Sequence, residues 1–151
     1  QPELAVLHAE RHRELPSGLI HGDLFIDNVM YEDTTLSALI DFEQAAWGRY
    51  IYDLAVTTLA FAYGRDDFRP EMVAALFAGY VAVRAPTVAE RAAFGAELRF
   101  AACRFAVTRI TDVHLRRTEG AAPGKDYRRY LARLGSVKAR LAAADPLLAL
   151  A

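Results

Sequence analysis

His21-Gly22-Asp23-Leu24-Phe25-Ile26-Asp27-Asn28, followed downstream by Leu39-Ile40-Asp41-Phe42, is the stretch on which the reading of this chain turns. An aspartate with a histidine two residues before it and an asparagine five residues after it has the spacing of a phosphoryl-transfer catalytic loop. Three residue types alone are a modest signal, so the flanking sequence decides. Val29-Met30-Tyr31 and Leu36 to Ile40 are β-rich runs around Glu32-Asp33-Thr34-Thr35, which predicts a hairpin with a four-residue connection. Asn28 immediately precedes the first predicted strand and Asp41 immediately follows the second. Antiparallel pairing then brings these two ends together.

That juxtaposition suits the transfer of a phosphoryl group from ATP to an alcohol. The moving group leaves a strongly anionic nucleotide, and the Mg²⁺ that neutralises it prefers hard oxygen ligands. Asn28 and Asp41 are the candidate metal ligands. The attacking hydroxyl must be aligned and must lose its proton to a carboxylate that the metal does not consume, and Asp23 is the candidate base. The plainer reading has Asp23 and Asn28 capping turns; Asp41 in register tells against it. His21 is read as loop support, its ring bonding to backbone. Asp27 is read as a surface or capping residue. Asp53, in Tyr52-Asp53-Leu54-Ala55, is read as a helix cap or loop organiser. Glu43, two residues past Asp41, is a candidate for a cationic substrate or the metal's surroundings, or is simply a solvated carboxylate.

Outward from this centre the pattern is helical. Helices are predicted from Pro2 to Glu14, from Tyr52 or Asp53 to Tyr63, from Pro70 to Arg84, from Val88 to Arg117 and from Asp126 to Ala144. Turn chemistry at Leu15-Pro16-Ser17-Gly18, Gly64 to Asp67, Pro86-Thr87 and Thr118 to Gly124 separates them, and Leu19-Ile20 reads as a short buried step. In the longest helix, Phe94, Leu98, Ala101, Phe105 and Thr108 share a face, widened by Val107 and Ile110. The last presents Tyr127, Tyr130, Leu131, Leu134 and Val137. The predicted fold class is mainly α with a small β-hairpin, a single unit over residues 1–151.

Composition sets further bounds. With 151 residues and 54% hydrophobic composition the chain is one domain's worth of core. Its 18 lysines and arginines against 19 acidic residues, a net charge of −1, provide no general field for nucleic acid or anionic lipid. No run approaches the length of a membrane span. A single cysteine, Cys103, cannot form an internal disulfide, which suits a reducing compartment, and the chain is expected to be cytoplasmic.

His21 to Asn28, Leu39 to Phe42 and Tyr52 to Ala55 resemble the catalytic core of the aminoglycoside phosphotransferase and choline kinase superfamily. Within it, Ile20 to Tyr31, Leu76 to Arg84, Leu98 to Phe105, Thr108-Arg109 and Lys125 to Leu131 are most similar to homoserine kinases. The resemblance implies the C-terminal, helical lobe of a protein-kinase-like α+β fold, with Asp23 as base and Asn28 and Asp41 as magnesium ligands. It further implies a partner of small size, a hydroxylated amino acid or amino alcohol. The activity implied is phosphorylation of L-homoserine in threonine biosynthesis, with choline, ethanolamine or an aminoglycoside as alternative acceptors. Such kinases have an N-terminal lobe that covers the phosphates, whereas Gln1 opens in the helix before the catalytic loop. That lobe is therefore expected from a longer protein, and this chain alone is expected to be inactive. Two departures stand out: Gly22 where these kinases commonly have alanine, and Phe42-Glu43-Gln44-Ala45 in place of a more aromatic stretch.

An amino-acid acceptor presents a carboxylate and an ammonium group, so its pocket needs a cationic fork. Arg104 and Arg109 are the candidates. A helix turns five-residue neighbours about 140° apart, so each is expected to act singly, or to form an ordinary ion pair. A non-catalytic lobe serving as a binding module is the reading from another class, against which the intact Asp23, Asn28 and Asp41 argue. A metal-dependent phosphatase is weaker still, for want of a covalent nucleophile or a second metal set.

Overall fold

Tyr50–Phe61 carries apolar residues on nearly every face, and a helix of that kind must be enclosed. It forms α2, with Ile51, Leu54, Ala55, Val56 and Leu59 all buried. The computed structural model describes residues 2–11, 14–111 and 126–150. Within them α1 (Pro2–Glu10), β1 (Ser17–Ile20), β2 (Val29–Glu32), β3 (Thr35–Leu39) and β4 (Ala46–Arg49) precede α2. Then come α3 (Pro70–Val83), α4 (Val88–Arg109) and α5 (Arg128–Ala142). The fold is helical with small antiparallel sheets, as the sequence led us to expect.

The core is the seam between α2 and α4, extended by α5, which packs on α4. From α4, Phe94, Leu98, Ala101, Ala102 and Phe105 are buried against it. Alanines at Ala55, Ala101 and Ala102 let the helices approach closely. The Thr58 hydroxyl, enclosed with them, donates to the Leu54 carbonyl at 2.8 Å and so costs no orphaned polar group. The start of α4 is a capping box: Thr87 Oγ1 accepts from the Glu90 amide at 3.2 Å, and the Glu90 carboxylate accepts from the Thr87 amide at 2.8 Å. Glu90 is fully buried, and Arg84 meets it at 2.8 Å.

A second enclosed carboxylate joins elements distant in sequence. Glu97, mid-way along α4 and 1% exposed, accepts from Arg11 Nε at 3.1 Å and from Arg49 Nη1 at 2.7 Å. Arg49 also donates to the Arg11 carbonyl, and the Arg11 guanidinium lies 3.4 Å from the centre of the Phe100 ring. The residue after α1, the end of β4 and the middle of α4 are thus tied at one point.

Several expectations need correction. The hairpin is not the only sheet: β1 pairs with β4 in antiparallel register from Ser17↔Arg49 to Ile20↔Ala46. These strands are four residues long, too short for their alternation to register in the sequence, and Leu19 and Trp47 pair on the outward face. The β2–β3 connection is two residues, since Glu32 pairs with Thr35, and Asp33 takes a left-handed φ of 53° to close it. α2 begins at Tyr50, so Asp53 stands inside its first turn and is not its cap. α1 ends at Glu10, and Leu4 and Val6 face solvent. Val107 is exposed because two residues turn it about 200° from Phe105, and Leu131 because one residue turns it about 100° from Tyr130. The regular part of α4 ends at Arg109. The expected continuation beyond residue 111 and the loop from Thr118 to Gly124 lie outside the described residues.

Glu97→Gln keeps the shape of the side chain and removes the charge between Arg11 and Arg49. Denaturant unfolding should show a loss of about 3 kcal/mol, the scale of a broken buried ion pair. Glu10→Gln, at the more exposed end of a pair with Arg99, should cost under about 0.5 kcal/mol. Equal costs would show that the Glu97 junction carries no special weight.

Candidate active site

Residues 21–28 are held as a loop by side-chain bonds from α2, from α4 and from the loop's own Asn28. Asp53, in the first turn of α2, accepts the His21 amide on Oδ2 at 3.0 Å and the Gly22 amide on Oδ1 at 2.8 Å. Arg104, from α4, donates through Nη1 to the Gly22 carbonyl at 3.0 Å and to the Tyr52 hydroxyl at 3.1 Å, and through Nη2 to Gln44 Oε1 at 3.1 Å. Gly22 is thus held on both sides, through its amide and through its carbonyl. Its φ of 75° is in the left-handed region, and a Cβ there would stand 2.8 Å from the Gln44 carbonyl oxygen. Glycine meets both demands, whereas alanine would be strained and crowded.

The loop's far end is closed by Asn28. Its side-chain amide donates to the Asp23 carbonyl at 2.8 Å, which assigns the bonded atom as nitrogen and leaves Oδ1 for the cleft. Phe25 N donates to Asp23 O at 2.9 Å and Asn28 N to Phe25 O at 3.0 Å, making the tight turn Ile26–Asn28. From there β2 departs, and the returning β3 brings Ile40 N to the Asn28 carbonyl at 3.0 Å. His21 reaches the same segment, its Nε2 donating to Ile40 O at 3.0 Å while its ring packs 4.6 Å from Phe42. Asp41, next along, has a left-handed φ of 63°. It lies two residues past the strand, one further than expected, because Ile40 bonds to the loop instead of extending the ladder.

Asp23, Asn28, Asp41, Glu43, Arg104 and Arg109 line one cleft of about 300 Å³, with Phe25, Gln44, Phe105, Thr108 and also Asp27, read from the sequence as a surface or capping residue, completing its walls. His21 and Asp53 stand behind the loop and do not line it. Asp23 is half-buried; burial pushes its carboxyl above the usual carboxylate range, while Arg104 and Arg109 pull it down and Asp41 adds to the rise. The phenol of Tyr52, which takes part in Arg104's set of bonds, is also pushed up by burial. Arg109 makes no hydrogen bond to any described residue and packs on aromatic rings. A larger hollow, about 820 Å³, opens between α1 and the β1–β4 pair and holds none of these residues except through its wall at Tyr52. Tyr52, Gln44 and the anchoring work of Arg104 were not legible in the sequence, since Gly22 and Arg104 are 82 residues apart and no local spacing connects them.

Residues 1–94 match the profile of the phosphotransferase enzyme family (APH). The chain belongs to that family. The matched segment contains the loop, the hairpin, Asp41 and Asp53, and stops short of Arg104 and Arg109. Among similar proteins is a homoserine kinase of Methylobacterium radiotolerans, 49% identical over 111 residues, covering 73% of this chain and 35% of that protein. A homoserine kinase of Azorhizobium caulinodans is 42% identical over 145 residues, covering 95% of this chain and 45% of that protein. One from Xanthobacter autotrophicus is 42% identical over 134 residues. The chain thus spans less than half the length of these curated relatives.

If Asp53 holds the loop, Asp53→Ala removes two charge-assisted bonds worth roughly 1.5 to 3 kcal/mol each. Amide hydrogen exchange at His21 and Gly22 should accelerate at least tenfold, with the amides of central α4 unchanged. Unaltered exchange at both positions would show that the loop is held by Arg104 and Asn28 alone.

Proposed function

We propose that this chain is the C-terminal, catalytic lobe of an ATP-dependent kinase that transfers the γ-phosphoryl group to the hydroxyl of L-homoserine, giving O-phospho-L-homoserine. The observation that carries the reading is the convergence of Asp23, Asn28 and Asp41 on one cleft. The names of the relatives support homoserine as acceptor; a place in threonine biosynthesis belongs to the same proposal. The part of the longer protein outside this chain would cover the nucleotide phosphates. No helix among the described residues is long and apolar enough to cross a membrane, which is compatible with the cytoplasmic site expected of such an enzyme.

In this mechanism Asp23 accepts the proton of the acceptor hydroxyl as the new oxygen–phosphorus bond forms and the bond from the γ-phosphorus to the bridging oxygen breaks, ADP leaving. Its loop backbone, bonded by Asp53, Arg104 and Asn28, fixes where that carboxylate stands. Asn28 Oδ1 and the Asp41 carboxylate are fitted to hold Mg²⁺. No group of three or more acidic, histidine or cysteine side chains among the described residues makes a full protein cage. Two protein oxygens, with phosphate and water for the rest, are the habit of magnesium. Bound there, the ion would neutralise charge on the nucleotide phosphates. Trp47 and Tyr50, to which a choline reading would give the aromatic wall, do not line the cleft; Trp47 lies on the larger hollow and Tyr50 carries Arg84, so the rings at the cleft are those of Phe25 and Phe105.

In the enzyme that contains both lobes, Asp23→Asn should lower kcat at least 100-fold with the KM for ATP nearly unchanged. Asp41→Ala should raise the KM for Mg·ATP as well. Near-normal turnover by Asp23→Asn would remove the base from this mechanism.

The acceptor is tested by a coupled ADP-release assay with L-homoserine, choline, ethanolamine and an aminoglycoside. The expected order places L-homoserine first in kcat/KM by about 100-fold or more. A higher value for choline would overturn the acceptor while leaving the chemistry in place.

A further inference from the structure

The two arginines that α4 sends into the cleft are in opposite electrostatic situations. Arg104 spends its donors on the Gly22 carbonyl, the Tyr52 hydroxyl and Gln44. Arg109, five residues on and facing the same cleft, has no hydrogen bond or ion pair to any described residue, and its Nε is buried without an acceptor. What fixes it is aromatic. The guanidinium lies 4.2 Å from the centre of the Tyr130 ring, 5.6 Å from that of Phe105 and 5.8 Å from that of Phe25. These three rings pack on one another, Phe25 edge-on to Phe105 at 4.8 Å and Phe105 against Tyr130 at 5.5 Å. Arg109 is therefore held in place with no carboxylate bonded to it among the described residues.

A guanidinium with an unmet buried donor is costly unless something supplies the acceptor. The planar fork of an arginine matches a carboxylate, whose two oxygens take parallel N–H bonds. Arg109 lines the cleft that Asp23 lines, and its charge acts on Asp23. A group bridging the two would be small, with an anion at one end and a hydroxyl at the other. An amino acid with a hydroxyl-bearing side chain has that form. We propose that Arg109 is the specificity-determining residue that binds the α-carboxylate of the acceptor, while Arg104 positions the loop. This rests on the acceptor reading above, and it divides two arginines that the sequence left equivalent.

The test uses the enzyme that contains both lobes and a pair of acceptors that differ only in the carboxylate: L-homoserine and 3-aminopropan-1-ol, the same chain without it. For Arg109→Ala, kcat/KM for L-homoserine should fall about 100-fold, the scale of a charge-assisted bidentate contact. For 3-aminopropan-1-ol the fall should be at least tenfold smaller, since that acceptor feels only the loss of the charge that acts on Asp23, and the KM for ATP should not move. Arg109→Met keeps the packing stem against Tyr130 and serves if the alanine variant does not fold. In it, inhibition by L-2-aminobutyrate, which has the carboxylate and no hydroxyl, should weaken at least tenfold. An equal fall with both acceptors, or a rise in the KM for ATP, would overturn the assignment and place Arg109 with the loop or with the phosphates. A wild-type enzyme that phosphorylates choline and ignores L-homoserine would instead overturn the acceptor reading, and this assignment with it.

Discussion

The site rests on one carboxylate. Asp53 accepts two successive backbone amides, and in doing so fixes the direction in which the chain leaves β1. The rest of the loop follows from that. With its N–H turned to Asp53, Gly22 must adopt a left-handed conformation, and its carbonyl is then presented to Arg104. His21 is left with its ring toward Ile40, so the strand that delivers Asp41 is bonded to the same loop that delivers Asp23. Asp53 can serve as this anchor because it belongs to the first turn of a helix most of whose other residues are enclosed in the core. An acidic group there is also favoured by the helix dipole.

The two halves of the cleft are supported in different ways. Asp23, Arg104 and Arg109 stand on or against α2 and α4, whose seam is the best-buried part of the molecule. Asp41 hangs from a hairpin whose Met30, Tyr31, Leu36 and Leu39 are exposed, and which is joined to the loop by Ile40 at both its amide and its carbonyl. The proposed base and acceptor pocket thus sit on the rigid body, and a proposed metal ligand sits on the lighter arm. Such a division suits a reaction in which the acceptor must be aligned once and the nucleotide must come and go.

Much of this was legible because it is local. Helix periods, the Thr87 and Pro70 starts, the hairpin and the spacing of Asp23, Asn28 and Asp41 are set by neighbours in the chain; the structure forms those helices with shifted ends and that hairpin with a shorter connection, and it brings the three residues to one cleft. What escaped is non-local. β1 and β4 pair across the whole loop and hairpin, and neither is long enough to show a period. Glu97 looks like a surface glutamate until Arg11 and Arg49 arrive from elsewhere. Arg104 and Arg109 have the same chemistry and the same helix, and only Gly22, Tyr52 and Gln44, contributed by distant segments, tell them apart.

The attachment of α1 has a character unlike the rest of the interior. Of its described side chains only Leu7 is enclosed. The helix is held otherwise by charge: Glu3 to Arg99 and Lys138, Glu10 to Arg99, and Arg11 beyond its end to Glu97. Ions in solution weaken such contacts, most of all those near the surface, whereas they leave the α2–α4 seam untouched. The molecule therefore has an ionic fastening beside an oily one. Concentrated salt should loosen the first helix ahead of everything else, so that the chain comes apart in sequence and not all at once.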